Sequence, residues 1–332
     1  MRGAGAGRHP VRRRVVALIP DTRILVLRAL GLGDFLTAVP ALRALRRACP
    51  DSELVLAAPG VLEPLVELAC AADCVHDQTG LGHLGWPDDP PELAVNLHGR
   101  GPLSHRLLRT AGASRLVAFG CADAAHSGPA WDPDEHETAR WCRLVGEVLG
   151  IDADPGDLGM VAPSIPGAVA EGAVLIHPGA AFGARRWPPD RFASVARRVA
   201  GAGHRVIVTG GPGELQLGRS VAALSGLGED AVLAGRTDLL VLAATVAGAR
   251  LVVCGDTGVA HLASAFSTPS VVLFGPTSPT RWGPPVDGPH TVIWHGTGGG
   301  DPWAEEVDPA LRRIGVQEVV ERVEAVLSDP AR

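Results

Sequence analysis

The sequence predicts an α/β protein of two Rossmann-like domains, each with a parallel sheet, facing each other across a cleft. Short apolar runs rich in β-branched residues alternate with helical stretches along most of the chain, a pattern typical of parallel sheets covered by helices. Residues 152–172 are dense in Pro, Gly, Asp and Ala without apolar periodicity and divide the alternation into two halves. At 332 residues, the chain has the length of two ordinary domains.

These observations divide the chain into five segments. We expect a basic N-terminal tail over residues 1–22, a first domain over 23–151, a linker over 152–172, a second domain over 173–308, and a C-terminal helix and tail over 309–332. The sequence does not indicate where the last helix, 309–327, packs.

Apolar runs and helical spacing predict the elements of both halves. In the first half, strands are expected at 24–27, 54–57, 94–97 and 115–118, with helices at 35–48 and 135–149. In the second half, strands are expected at 174–176, 206–209, 251–254 and 270–274, with helices near 190–201, 214–225, 238–247 and 258–266.

Composition excludes several classes of function. The formal net charge of −6 argues against a nucleic-acid binder, which normally carries a basic excess. The six cysteines form no C-x-x-C pair, so we expect reduced thiols of a cytoplasmic protein and no metal site. No stretch approaches the roughly 20 apolar residues that span a bilayer.

The N-terminal tail is basic, with arginines at positions 8, 12, 13 and 14. The apolar run behind them is too short for a signal-peptide core. A solvated tail is favoured, and the alternative is a weak peripheral contact with the anionic inner face of a membrane.

The most informative loop follows the predicted strand 251–254 and reads Gly-Asp-Thr-Gly-Val-Ala-His over 255–261. A strand that passes into a helix here leaves backbone N–H groups free at the helix N-terminus, which suits a diphosphate. Asp256, Thr257, Gly258, Val259 and His261 are therefore candidate anion-binding residues. The alternative interpretation is an ordinary helix cap by Asp256 or Thr257, with His261 packed in the core.

Two further loops of the second half lie at the same edge of the sheet. The Gly-rich loop 177–188 ends with Arg185 and Arg186, of which one is expected to meet phosphate and the other water. Glu214 opens a helix after the strand 206–209, where a carboxylate can bind ribose hydroxyls. On physical grounds alone, Glu214 is better explained as a first-turn residue favoured by the helix dipole.

The first half offers a carboxylate and a polar loop. Gly-Leu-Gly-Asp at 31–34 resembles the start of a dinucleotide fingerprint, but Leu36 stands at its third glycine. Asp34 is a candidate general base, with simple helix capping as an equal alternative. The loop 96–101 ends another strand on the same face, so its polar residues are acceptor-side candidates: Asn96, His98 and Arg100.

Taken together, these motifs resemble glycosyltransferase family 9, the bacterial ADP-heptose-dependent heptosyltransferases. The resemblance rests on Leu-Gly-Asp after the first strand, His-Pro-Gly leading to Arg-Arg-Trp-Pro, and Gly-Asp-Thr-Gly-x-x-His followed by Phe-Gly-Pro-Thr at 274–277. It extends over roughly residues 23–325. It implies a GT-B fold, an inverting mechanism, no metal and no cofactor besides a nucleotide-sugar substrate, with ADP-heptose as the expected donor.

The resemblance also implies roles for individual residues. Asp34 matches the proposed general base, Glu214 the ribose carboxylate, and Arg185 a basic position near the donor phosphates that is usually Lys. Asp256, Thr257, Gly258 and His261 match the phosphate-binding turn. The second domain would then bind the nucleotide sugar, and the first would hold the acceptor.

The expected reaction transfers heptose to a hydroxyl of a glycan, a glycolipid or a secondary metabolite, as in lipopolysaccharide biosynthesis at the cell envelope. Two alternatives stay open at this point. A GT-B-type nucleotide-sugar epimerase or hydrolase would release product without an acceptor. A non-catalytic nucleotide-sugar-binding protein would need the phosphate turn but not Asp34.

Overall fold

The computed structural model describes residues 22–87, 89–165 and 171–328. The arginines of the predicted N-terminal tail, and its expected membrane contact, lie outside these ranges. So does part of the predicted linker.

The first half folds around a five-stranded parallel sheet with the strand order β3-β2-β1-β4-β5. Its strands are β1 (Arg23–Leu27), β2 (Glu53–Ala58), β3 (Cys74–Asp77), β4 (Leu93–Asn96) and β5 (Arg115–Val117). Its helices are α1 (Leu32–Ala48), α2 (Glu63–Ala69), α3 (Leu103–Arg109) and α4 (Glu137–Leu149).

The second half folds around another five-stranded parallel sheet, with the order β10-β9-β8-β6-β7. Its strands are β6 (Val174–His177), β7 (Val206–Val208), β8 (Leu251–Gly255), β9 (Ser270–Phe274) and β10 (His290–Trp294). Its helices are α5 (Pro189–Gly201), α6 (Leu215–Ser225), α7 (Leu239–Ala247), α8 (Gly258–Ala265), α9 (Pro279–Trp282), α10 (Pro309–Arg313) and α11 (Val316–Leu327). The predicted α/β architecture of two parallel-sheet domains is thus confirmed.

The central strands of each sheet form from continuous apolar runs because both of their faces are covered. All five residues of β8 are buried, and so are four of the five in β1. The edge strands β3 and β10 carry polar residues and are largely half-buried or exposed. For this reason their sequences lack the apolar run that predicted the other strands.

The expected helix 309–327 is in fact two helices, α10 and α11. Ile314 breaks the helical path with an extended backbone, and its carbonyl oxygen accepts hydrogen bonds from Trp187 Nε1 at 3.1 Å and Arg191 Nη1 at 2.8 Å. Gly315 then caps α11. The helix α11 packs on α5 and on the second sheet.

The two domains meet where the first turns of α1 and α8 approach each other. A Cβ atom added to Gly33 would lie 2.9 Å from His261 Cδ2, and one added to Gly258 would lie 3.0 Å from Leu32. A second bridge joins His136 Nε2, at the start of α4, to the Gly283 carbonyl oxygen at 3.0 Å. These contacts bring the carboxyl ends of β1 and β8 to a shared cleft.

None of the helices in the described part of the chain is long and apolar enough to cross a membrane.

Candidate active site between the two domains

The candidate site lies at the carboxyl ends of the central strands, where ligands bind in open parallel sheets. Asp34 stands in the first turn of α1, just after β1, and Asp256 directly follows β8. The positive charge of Arg185 lowers the pKa of both carboxyl groups, and the charge of Asp34 raises the pKa of Asp256. The structure therefore brings together three predicted residues from distant parts of the chain.

Asp34 is not a helix cap. The N-cap of α1 is Gly31, and no side chain caps that helix. The Asp34 carboxylate instead accepts a hydrogen bond from Arg28, with Nη2 and Oδ1 3.3 Å apart. Its side chain keeps 31% of its surface exposed, so a hydroxyl group in the cleft can reach it.

The electrostatic environment of Asp34 favours proton uptake. Burial is the largest cause that raises the pKa of this carboxyl above its usual value, and the nearby Glu137 carboxylate raises it further. The guanidinium groups of Arg28 and Arg185 oppose this rise. A carboxylate with a raised pKa is a stronger base than a solvated one.

Arg28 and Glu137 are functional candidates that sequence reasoning missed. Arg28 is fully buried; it donates from Nε to the Asp34 backbone oxygen at 2.9 Å and from Nη2 to Glu137 Oε1 at 3.1 Å. A charged residue directly after the apolar run of β1 was the available indication for Arg28. Glu137 lies 109 residues further along the chain and gave none.

The helix α8 begins without a side-chain cap. Its N-cap is Thr257, with an extended backbone, and within the described ranges no side chain caps the helix. Asp256 is buried, and its carboxylate forms a hydrogen bond with Thr277 from the Phe-Gly-Pro-Thr segment. The structure thus disfavours the alternative in which Asp256 or Thr257 merely caps the helix. The N–H groups of this first turn, among them those of Gly258 and Val259, are oriented as an anion site requires.

The surroundings of Asp256 disfavour its charged form. Its pKa is raised to about 6, chiefly by burial and to a smaller extent by the charge of Asp34, while Arg185 and the hydrogen bond with Thr277 lower it. The cleft therefore holds two carboxyl groups with raised pKa values and one arginine whose charge acts on both.

Arg185 ends a tight turn, Gly183–Arg185, that packs closely on the chain near Glu305. Its guanidinium lies 5.5 Å from the ring centre of Phe182, and its buried Nε has no hydrogen-bond partner among the described residues. Arg186 is exposed and donates from Nε to the Ala180 oxygen at 2.8 Å. Of the two arginines, Arg185 faces the site and Arg186 braces its own loop.

His261 enters the site as a neutral side chain. It is half-buried, contacts Trp282 edge-on at 6.0 Å between ring centres and lies against Gly33 of the other domain. Burial lowers its pKa to about 4, assisted by His136 and the positive charge of Arg28. At neutral pH it can give one N–H donor to a leaving group but adds no positive charge.

Glu214 uses one of its two carboxylate oxygens within its own turn, and its role toward ribose stays a prediction. One carboxylate oxygen, Oε2, accepts from the Gly211 N–H at 2.7 Å and closes the turn before α6. The other, Oε1, has no partner among the described residues. A Cβ atom at Gly179 would lie 2.2 Å from it, so only glycine leaves room for the carboxylate there.

The acceptor-side candidates separate into three environments. Asn96 is fully buried, and its amide binds Gly99, Ser104, His105 and the His98 N–H, so it orders its loop and presents no atom to the cleft. His98 is half-buried near Arg28, and burial lowers its pKa to about 4. Its buried Nδ1 lacks a partner among the described residues, whereas Arg100 is exposed.

Within the described ranges, no group of three His, Cys, Asp or Glu side chains is placed to hold a metal ion.

Comparison with known proteins gives matches in both sequence and structure. The family model described as glycosyltransferase family 9 (heptosyltransferase) matches residues 127–305. Lipopolysaccharide heptosyltransferase 2 of Salmonella typhimurium is 32% identical over 161 residues, which are 46% of this chain and 46% of that protein. The chain thus spans about half the length of the curated relative that it matches.

Two solved structures resemble the whole fold. The E. coli ADP-heptose lps heptosyltransferase II gives a TM-score of 0.74 at 21% identity, covering 92% of this chain and 98% of that one. The glycosyl transferase family 9 protein from Veillonella parvula gives 0.73 at 21% identity, covering 94% and 99%. At this level of identity the likeness establishes the fold, which is GT-B.

Proposed function

The chain belongs to glycosyltransferase family 9, and from this premise we propose that it transfers a heptose from ADP-heptose to a hydroxyl group of a glycan or glycolipid. The proposed reaction inverts the anomeric centre and uses neither metal nor cofactor. The names of the similar proteins, lipopolysaccharide heptosyltransferase 2 and ADP-heptose lps heptosyltransferase II, support this donor and this class of acceptor.

One observation carries the proposal. Asp34 of the first domain and Asp256 of the second lie close enough across the cleft for charge to act between them, and Arg185 acts on both. A base on one side and an anion-binding turn on the other are what direct displacement of a nucleoside diphosphate requires. A protein that only binds the nucleotide needs the second side alone.

In the proposed step, the acceptor oxygen attacks the anomeric carbon as Asp34 takes the hydroxyl proton. The new C–O bond forms while the bond from the anomeric carbon to the phosphate oxygen breaks, and its electron pair leaves with ADP. Arg185, the free N–H groups of the α8 first turn and the neutral His261 would stabilise the charge that develops on the leaving phosphate. Glu214 Oε1 would accept a hydrogen bond from ribose.

The test uses mass spectrometry of the full chain incubated with a panel of ADP-, UDP- and GDP-sugars, each with and without lipopolysaccharide-type core acceptors. We expect a product heavier by one heptose only with ADP-heptose and an acceptor present. Turnover of a UDP- or GDP-sugar with none of ADP-heptose would overturn the donor assignment. An epimer or free sugar formed without acceptor would instead identify an epimerase or hydrolase.

A further inference from the structure

Behind Asp34, the first domain buries a row of side chains of alternating charge. The row runs from Asp34 to Arg28, then to Glu137 and Arg140, through ion pairs within each neighbouring pair. Arg28, Arg140 and Glu137 are 0%, 3% and 5% exposed. Because the cost of removing charges from water can exceed the attraction within a buried ion pair, stability alone does not explain a row of this kind.

The guanidinium of Arg28 is fixed in one orientation. Its Nε donates to the Asp34 backbone oxygen at 2.9 Å and its Nη1 to the Leu97 oxygen at 2.5 Å. The Trp141 ring packs on it, 4.8 Å from ring centre to Cζ. Nη2 therefore points to one place, where it meets Asp34 Oδ1 at 3.3 Å, Glu137 Oε1 at 3.1 Å and Thr37 Oγ1 at 3.1 Å.

Nη2 of Arg28 is thus shared between two carboxylates. An unshared buried arginine beside Asp34 would strongly favour its charged form and make it a weak base. Glu137 compensates that charge, and it is held in turn by Trp141 Nε1 at 3.0 Å and by Arg140 Nη1. In line with this arrangement, the Glu137 charge raises the pKa of Asp34 while the Arg28 charge lowers it.

We propose that Arg28 and Glu137 are positioning residues for Asp34: Arg28 orients the carboxylate, and Glu137 compensates the charge of Arg28 so that Asp34 remains able to accept a proton. The proposal rests on the proposed role of Asp34 as general base. Arg185 and Asp256 of the second domain face Asp34, while His98 of the first domain and His261 of the second lie near Arg28. The Glu137 variant leaves these groups in place.

The direct test is a ¹³C NMR titration of the Asp34 carboxyl carbon in the full chain. The signal of this carbon is assigned by its disappearance in Asp34→Asn. In Glu137→Gln, the uncompensated charge of Arg28 is expected to lower the titration midpoint by about one pH unit. The matched control is Glu147→Gln, which removes the same charge from the outer face of α4, where Glu147 is 53% exposed beside Arg143. The control should leave the Asp34 midpoint unchanged.

An unchanged midpoint in a folded Glu137→Gln protein would overturn the proposal, and so would an equal shift in Glu147→Gln. Because this readout needs no substrate, it stands even if the protein shows no glycosyl transfer. Failure of the proposed function would appear separately, as absence of turnover in the wild-type chain.

A second variant keeps every charge and tests orientation alone. Thr37→Val removes the hydroxyl that accepts from Arg28 Nη2 and donates to the Asp34 backbone oxygen at 2.9 Å. We expect kcat to fall about tenfold through misplacement of the base, with the Asp34 midpoint and the Kd for ADP unchanged. A Thr37→Val enzyme with wild-type kcat would contradict the orienting role. If Glu137→Gln does not fold, this variant still tests the orienting part of the proposal.

Discussion

The two sides of the cleft differ in how their charged groups are satisfied. On the first-domain side, Asp34 is bound to Arg28, which the protein itself holds with two backbone oxygens and Glu137. On the second-domain side, the buried Nε of Arg185 has no partner in the part of the chain that the structure describes, and no side chain of that part caps α8. The protein itself thus holds the guanidinium that binds Asp34, whereas the second-domain side has donors available to a ligand.

This difference indicates a division of labour. A proton acceptor must keep one orientation throughout the reaction, so a base held by its own protein is preorganised for it. A leaving group that gains charge needs donors that are free until it arrives. The carboxylate that the first domain holds in place therefore matches a base site, and the unpartnered donors of the second domain match a leaving-group site.

The largest expected effect comes from removing the base on the first-domain side of the cleft. In Asp34→Asn, turnover is expected to fall by about 10²- to 10⁴-fold, because no protein group remains to take the proton of the attacking hydroxyl. The affinity for ADP should stay near that of the wild type, since the nucleotide is assigned to the other domain. Steady-state kinetics and calorimetry measure the two effects separately.

The control for this variant is Asp51→Asn, which makes the same change at an exposed position after α1. It should leave both turnover and ADP affinity unaltered. Near-normal turnover in Asp34→Asn would remove Asp34 from the chemistry. Loss of ADP binding in the same variant would show that the two sides do not act separately.

A smaller effect, on ADP affinity, is expected when the positive charge of Arg185 on the second-domain side is removed. Arg185→Gln loses charge-assisted hydrogen bonds to phosphate worth about 1.5–3 kcal/mol, which is about a ten- to hundredfold loss of ADP affinity. The adjacent Arg186 is exposed and bonded within its loop, so Arg186→Gln is a matched control and should bind ADP normally. Equal losses in both variants would indicate a general effect of charge and not a specific site.

Much of the fold could be predicted because the central strands are continuous apolar runs in the sequence. The strands β1 and β8 were recognisable for this reason, and their following loops located Asp34 and Asp256. The strands β3 and β10 were missed because most of their residues are half-buried or exposed and tolerate polar side chains, whereas the edge strand β7 is fully buried and was predicted. The break at Ile314 was missed because the bonds that produce it come from Trp187 and Arg191, far away in the sequence.

The site was predictable only where its chemistry is local. Arg185 and Glu214 stand in short loops after strands, and their positions follow from the strand–loop–helix pattern. The buried state of Asn96 and the partnership of Arg28 with Glu137 depend on tertiary packing, which no local pattern encodes. The family resemblance supplied roles for Asp34 and for the phosphate turn, but not the network that supports them.

The smallest expected effect concerns the free energy of unfolding, not the reaction. Asp256 is 5% exposed, and its pKa is raised from 3.8 to about 6. A shift of this size corresponds to at most about 3 kcal/mol of destabilisation at neutral pH. We therefore expect Asp256→Asn to unfold at a higher denaturant concentration than the wild type at pH 7, while it loses part of its activity with the donor.

The sign of the pH dependence makes this prediction specific. A carboxyl group whose pKa is higher in the folded state holds its proton more tightly there, so folding is disfavoured as the pH rises from about 4 to about 6. The stability advantage of Asp256→Asn should therefore be near zero at pH 4, grow up to about pH 6 and stay constant above it. Denaturant unfolding of both proteins at several pH values measures this difference. If the stability advantage is the same at pH 4 and pH 7, its origin is packing and not the charge of Asp256. If Asp256→Asn is less stable than the wild type at pH 7, Arg185 compensates the charge of Asp256.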